Sequence, residues 1–151
     1  MSKIYLASPL GFSPEFKPYL ERVKAHLVQL GYEVFDLWEQ PFAEAIHEAS
    51  QVENHNERIA AFTRLSKEIG AANENGIPQC EILLGVLDGP EIDSGTAAEM
   101  GFAAGIGLRC FGLRTDWRDS GEFGLPLNLQ VLHFIQVSGG RLFRSIEGIE
   151  L

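Results

Sequence analysis

The run ILLGVL at Ile82–Leu87, the loop DGPEID at Asp88–Asp93 and the segment SGTAAEMGFAAG at Ser94–Gly105 decide the fold. The first six residues are continuously apolar and of strand length, the pattern of a strand covered on both faces in a parallel sheet. The loop is polar and carries Gly89 and Pro90. The third piece predicts a helix from about Ser94 to Gly105, with Asp93 or Ser94 able to cap it by accepting from its free amide hydrogens.

Outward from this unit the same alternation repeats. KIYLA at Lys3–Ala7 reads as a buried strand ended by Ser8-Pro9 and Gly11. Ser13-Pro14 resembles a helix start, with Pro18 set to delay it, and Leu20, Val23, Leu27 and Leu30 form one apolar helical face closed by Gly31. YEVF at Tyr32–Phe35 is the second strand. The stretch from Asp36 to Val52 resists assignment. A helix is expected from Asn56 to about Asn73, with Ile59, Phe62, Leu65 and Ile69 inward. RCFGL at Arg109–Leu113 is another strand, Arg114–Leu127 a polar and mobile segment, and a last strand is expected within His133–Val137. This βαβαβαβ order argues an α/β protein with a parallel sheet of about five strands and helices on both faces. Ligands then bind beyond the carboxyl ends of the strands, near Tyr5–Pro9, Asp88–Glu99 and Arg114 onward.

The 151 residues fit one domain, 45% of them apolar. Twelve basic against 21 acidic residues give a net charge of −9, with no basic run, which argues against a nucleic-acid partner or an anionic membrane. Cys80 and Cys110 read as buried free thiols, and no Cys/His cluster supports a zinc site. The strand-like N-terminus lacks the apolar stretch of a signal peptide, and no run approaches the length of a membrane span, so a cytoplasmic protein is expected. The histidines His26, His47, His55 and His133 are dispersed and form no triad.

Asp88, Glu91, Asp93 and Glu99 place four carboxylates at the expected ligand edge. Glu99 stands in a helix otherwise rich in glycine and alanine, where close packing would desolvate a carboxylate. Two acids at one site can divide the work of glycosyl transfer, one attacking the anomeric carbon. Paired acids could equally hold Mg²⁺, and Glu99 could be a solvated surface residue. Neither GxGxxG after the first strand nor GxxxxGK[ST] occurs, so no dinucleotide cofactor or NTPase activity is expected.

These residues resemble the nucleoside 2-deoxyribosyltransferases. The likeness rests on KIYLASP at Lys3–Pro9, CEILLGVLDG at Cys80–Gly89, DSGTAAEMGFAAG at Asp93–Gly105, GLRTDWR at Gly112–Arg118 and FGLPLNLQ at Phe123–Gln130. It implies a flavodoxin-like fold, a homo-oligomer, no cofactor, and transfer of 2-deoxyribose between bases through a covalent deoxyribosyl-enzyme intermediate. It further implies that Glu99 is the nucleophile, that Asp93 binds the sugar hydroxyls and that Tyr5 orients the nucleophile. Asn128 would reach the sugar from a neighbouring subunit, Gln40 would touch the base, and Asp88 would lie among the substrate-binding residues. Two departures stand out: Glu81 replaces an aspartate at the head of the third strand, where a proton donor to the base is expected, and the sequence ends at Leu151 without a C-terminal tyrosine found in some members. A related branch that hydrolyses deoxynucleoside 5′-monophosphates carries serines where Asp93 and Asn128 stand. A carboxylate at Asp93 would repel a phosphate by about 4 kcal/mol at 4 Å and an effective dielectric of 20. N-glycoside hydrolysis and ligand sensing without turnover are the competing readings, and Arg114–Leu127 is either a lid or a plain surface loop.

Overall fold

The computed structural model describes residues 1–39 and 41–151. Five strands, β1 (Lys3–Ala7), β2 (Glu33–Asp36), β3 (Ile82–Val86), β4 (Arg109–Leu113) and β5 (Leu142–Phe143), form one sheet in the order β2-β1-β3-β4-β5. Every pairing is parallel. This is the flavodoxin-like strand order, whose switch point lies between β1 and β3.

Alternate residues of each strand feed two cores, because successive side chains leave a strand on opposite faces. On one face Ile4, Leu6, Leu84 and Phe111 meet Leu20, Val23 and Leu27 of helix α1 (Lys17–Gln29). On the other, Tyr5, Leu83 and Cys110 meet Met100 and Ala103 of α4 (Ser94–Gly105), and Val131 and Ile135 of α5 (Leu129–Val137). Ile77, just beyond the long helix α3 (His55–Gly76), packs into the same core. All five residues of β3 are buried, as its unbroken apolar run requires.

Several boundaries differ from the sequence reading. The expected last strand at His133–Val137 is instead helix α5, and the edge strand is Leu142–Phe143. Leu129–Val137, six of whose nine residues are apolar, fits either element by length. The spacing of four between buried Val131 and Ile135, with exposed His133 and Gln136, and the cap from Asn128 settle it as helix. Ser13 contributes no side-chain cap; Pro14–Phe16 forms a single 3₁₀ turn, and α1 begins at Lys17 with Pro18 in its first turn. The unassigned stretch contains α2 (Phe42–Ser50), which packs on α3. Ile59 is half exposed, whereas Leu65 is buried.

The start of the segment Arg114–Leu127 is tied to the loop after β3 by hydrogen bonds. Arg114 is fully buried, and its guanidinium donates to the carbonyls of Leu87 (2.5 Å), Gly89 (3.1 Å) and Arg118 (2.6 Å). Asp88 takes the amide hydrogens of Thr115 (2.5 Å) and Asp116 (2.7 Å) and the hydroxyl of Tyr19 (2.8 Å). Cys80 and Cys110 are free and buried. No described helix is long and apolar enough to cross a membrane.

Candidate active site

Three elements converge over β1. Tyr5 points from β1 into the face covered by α4, Asn73 lies in the last turns of α3, and Glu99 lies in the second turn of α4. Ser94–Gly105 folds as a helix because Asp93 accepts the amide hydrogen of Thr96 (2.8 Å), and its small residues permit close approach. At Gly101 an added Cβ would sit 3.3 Å from the ring of Phe134 in α5. Gly85 of β3 likewise leaves room for Met100, whose methyl would lie 2.7 Å from a Cβ there.

The three polar groups form a chain. The Tyr5 hydroxyl donates to Asn73 Oδ1 (2.9 Å) and lies 3.3 Å from Glu99 Oε1. Asn73 Nδ2 donates to the same Oε1 at 2.7 Å. Tyr5 thereby fixes which way the Asn73 amide faces, with its nitrogen toward the carboxylate. Both donors address Oε1, and among the described residues no hydrogen bond reaches Oε2. Behind this group the Tyr5 ring stacks on Phe35, centroids 5.4 Å apart.

Burial pushes the Glu99 carboxyl up to about 7, helped by the nearby negative charge of Asp93 and opposed by the bonds from Tyr5 and Asn73. Burial likewise raises the Tyr5 phenol well above its ordinary range, and the Glu99 carboxylate adds to that. A carboxyl held near neutrality in a cleft marks a candidate functional site.

Glu99, Tyr5, Asn73 and Asp93 line one chamber of ≈ 160 Å³, whose outer wall is Phe12, Leu37, Trp38 and Phe42. Asp93 therefore has two jobs: Oδ2 caps α4, taking also the Thr96 hydroxyl at 3.1 Å, while the side chain borders the chamber. The other expected site residues lie elsewhere. Glu81 stands before the first residue of β3, at the opposite sheet edge, exposed, and accepts the Ser2 hydroxyl at 2.6 Å. It does not line the chamber. Asp88 is occupied by the Thr115–Asp116 turn and does not line the chamber. Asn128 caps α5 and donates to Glu122 Oε1 (3.0 Å), in a separate groove with Glu91 and Ala97. Gln40 lies outside the described residues. Among the described residues no three His, Cys, Asp or Glu side chains gather as a metal site.

Sequence reasoning missed Asn73. The inward stripe of Leu65 and Ile69 continues four residues on to Asn73, and a polar residue on an apolar stripe was the available signal.

A family model described as nucleoside 2-deoxyribosyltransferase matches residues 4–130. A search of curated proteins finds no match. Among solved structures, a conserved protein from Enterococcus faecalis V583 is 27% identical with a TM-score of 0.71, over 97% of this chain and 93% of that one. A 2-deoxyribosyltransferase from Bacillus psychrosaccharolyticus is 22% identical (TM-score 0.64, 99% and 93% covered), and a CMP N-glycosidase from Clostridium botulinum 11% identical (0.56, 97% and 93%). The last two likenesses are of fold. With the family model spanning all three site-bearing elements, the chain belongs to the nucleoside 2-deoxyribosyltransferase family.

Proposed function

We propose that this protein transfers 2-deoxyribose between nucleobases, with Glu99 as the nucleophile. The observation that carries the reading is the carboxylate of Glu99, bordering a chamber with one oxygen held by Asn73 and the other free of hydrogen bonds among the described residues. In the first step Glu99 Oε2 bonds to C1′ of a 2′-deoxynucleoside as the C1′–N bond breaks. The base leaves with the electron pair and takes a proton from water. In the second step a ring nitrogen of another base attacks C1′, the bond to Glu99 breaks, and the acceptor loses its proton. Two inversions give net retention at C1′, as in retaining glycoside transfer. The carboxylates oppose the positive charge that develops on the sugar ring.

Tyr5 and Asn73 are positioning residues in this scheme, since they hold Oε1 and touch no reacting atom. Neither suits the proton transfer: an amide does not titrate, and the phenol is held above its ordinary range. The second oxygen of Asp93 would accept a sugar hydroxyl. Its charge favours free nucleosides over 5′-phosphates by Coulomb repulsion. Asn128 would exchange its bond to Glu122 for a sugar hydroxyl in the chamber of a neighbouring copy.

Chromatography of a mixture with deoxyinosine and adenine tests the reading. New deoxyadenosine is expected. Hypoxanthine released without deoxyadenosine would make the protein a hydrolase, and unchanged nucleoside would leave Glu99 without a catalytic role.

A further inference from the structure

A second chamber lies against Trp38. It has a volume of ≈ 540 Å³, more than three times that of the Glu99 chamber, and Trp38 borders both. The Glu99 chamber is small even against the roughly 300–1,000 Å³ usual for ligand pockets. The indole is held in place. Its Nε1 donates to the Ser8 carbonyl at 2.8 Å, and Phe12 meets it edge-on with centroids 4.6 Å apart. Gly11 lies against it, where an added Cβ would fall 1.9 Å from the nearest indole carbon. Phe12 lines the smaller chamber and Gly11 the larger.

The larger chamber sets a charged, net acidic wall beside an apolar lining from Pro14, Leu20, Trp38 and Ala43. Lys24 pairs there with Asp36 (3.3 Å) and Glu39, and Glu21 and Lys17 complete the charged wall. Three carboxylates face two ammonium groups.

We infer that Trp38 is the specificity-determining wall of the base subsite: it closes the Glu99 chamber against bases with a side arm, and its removal joins the two chambers. The inference rests on the deoxyribosyl-transfer reading. The acidic balance of the second chamber's charged wall favours an arm ending in an amine over one ending in a carboxylate.

The test uses deoxyinosine as donor, with adenine, N6-aminopropyladenine, N6-carboxyethyladenine and 5-aminoallyluracil as acceptors, on the full chain. For wild type, Trp38→Ala and Trp38→Phe, the readout is kcat/KM for each substituted base relative to the unsubstituted one. A single methylene in a fitted pocket is worth roughly 10–200-fold. The ratio for at least one amine-bearing base is therefore expected to rise about tenfold or more in Trp38→Ala, with a smaller rise in Trp38→Phe and less gain for the carboxylate arm. Equal ratios in wild type and both variants would overturn the inference. If Trp38→Ala does not fold, the Trp38→Phe ratio decides it by the same criterion. If wild type exchanges no base, the transfer reading has failed. Calorimetric binding of the four corresponding deoxynucleosides to wild type and variants then decides the partition: tighter binding of the amine-bearing ligands by the variants supports it, and no change overturns it.

Discussion

Glu99 is a carboxylate that the fold makes hard to ionise and two neighbours make easier. Burial pushes it up to about 7, while the bonds from Tyr5 and Asn73 pull the other way. If it is the nucleophile, kcat/KM rises with pH along a limb with an apparent pKa near 7, because only the ionised form attacks. Asn73→Ala removes a bond to a charged group, worth about 1.5–3 kcal/mol, and should move that limb up by about one pH unit or more while the chain stays folded. A flat profile, or a limb unmoved by Asn73→Ala, would contradict the assignment of that pKa to Glu99. The same shift has a thermodynamic face. Between pH 4.5 and about 7 the native carboxyl keeps a proton that the unfolded chain has released, so stability falls as pH rises through this window. Glu99→Gln is expected to unfold at higher urea than wild type at pH 8, by up to about 3 kcal/mol, and to match it near pH 4.

At the scale of elements, α4 and α3 turn sequence into a site in different ways. Asp93 both caps α4 and borders the chamber, and a serine can do only the first. Asp93→Ser should therefore leave urea stability within a few tenths of a kcal/mol while raising KM for the deoxynucleoside about tenfold. A stability loss with KM unchanged would mean that Asp93 is a cap alone. Gly76, at the end of α3, has ordinary helical torsions, yet a Cβ there would lie 2.8 Å from the Phe35 ring that supports Tyr5. Alanine favours the helix by about 1 kcal/mol at most, against about 1–3 kcal/mol for overpacking. Gly76→Ala is thus expected to destabilise and to lower kcat, measured by urea unfolding and base exchange.

The sheet was legible because β3 is an unbroken apolar run, β4 is buried throughout after Arg109, and α4 is bounded by its cap and a glycine. The last helix was not, since its apolar residues crowd both the two-residue and the four-residue spacing. Glu99, Asp93 and Tyr5 were legible as a group; the contact of Tyr5 and Glu99 with Asn73 was not, because it depends on how the end of α3 is placed beside α4, and no local pattern encodes that placement. Glu81 and Asp88 were misplaced for the same kind of reason. Nearness to a strand in sequence does not say which sheet edge a side chain serves, nor whether its oxygens are already taken, as those of Asp88 are by Tyr19 and the Thr115–Asp116 turn.

At the scale of the whole molecule, Asn128 and Glu99 of one chain lie in different cavities. If Asn128 serves a neighbour, Glu99→Ala and Asn128→Ala variants, each weak alone, should recover base exchange when refolded together. Mixed assemblies would contain sites with an intact Glu99 from one copy and an intact Asn128 from the other. Recovery no greater than the sum of the separate variants, or full activity in a strictly monomeric protein, would contradict the shared site.

The central claim is that Glu99 carries the sugar between bases. The most direct test is the mass of the intact protein after acid quenching, taken with a 2′-deoxynucleoside present and no acceptor base, followed by peptide mapping. The account predicts one added deoxyribosyl group on the peptide containing Glu99, lost on adding free base and absent from Glu99→Gln. Base exchange that proceeds with no adduct, and that survives in Glu99→Gln, would contradict it.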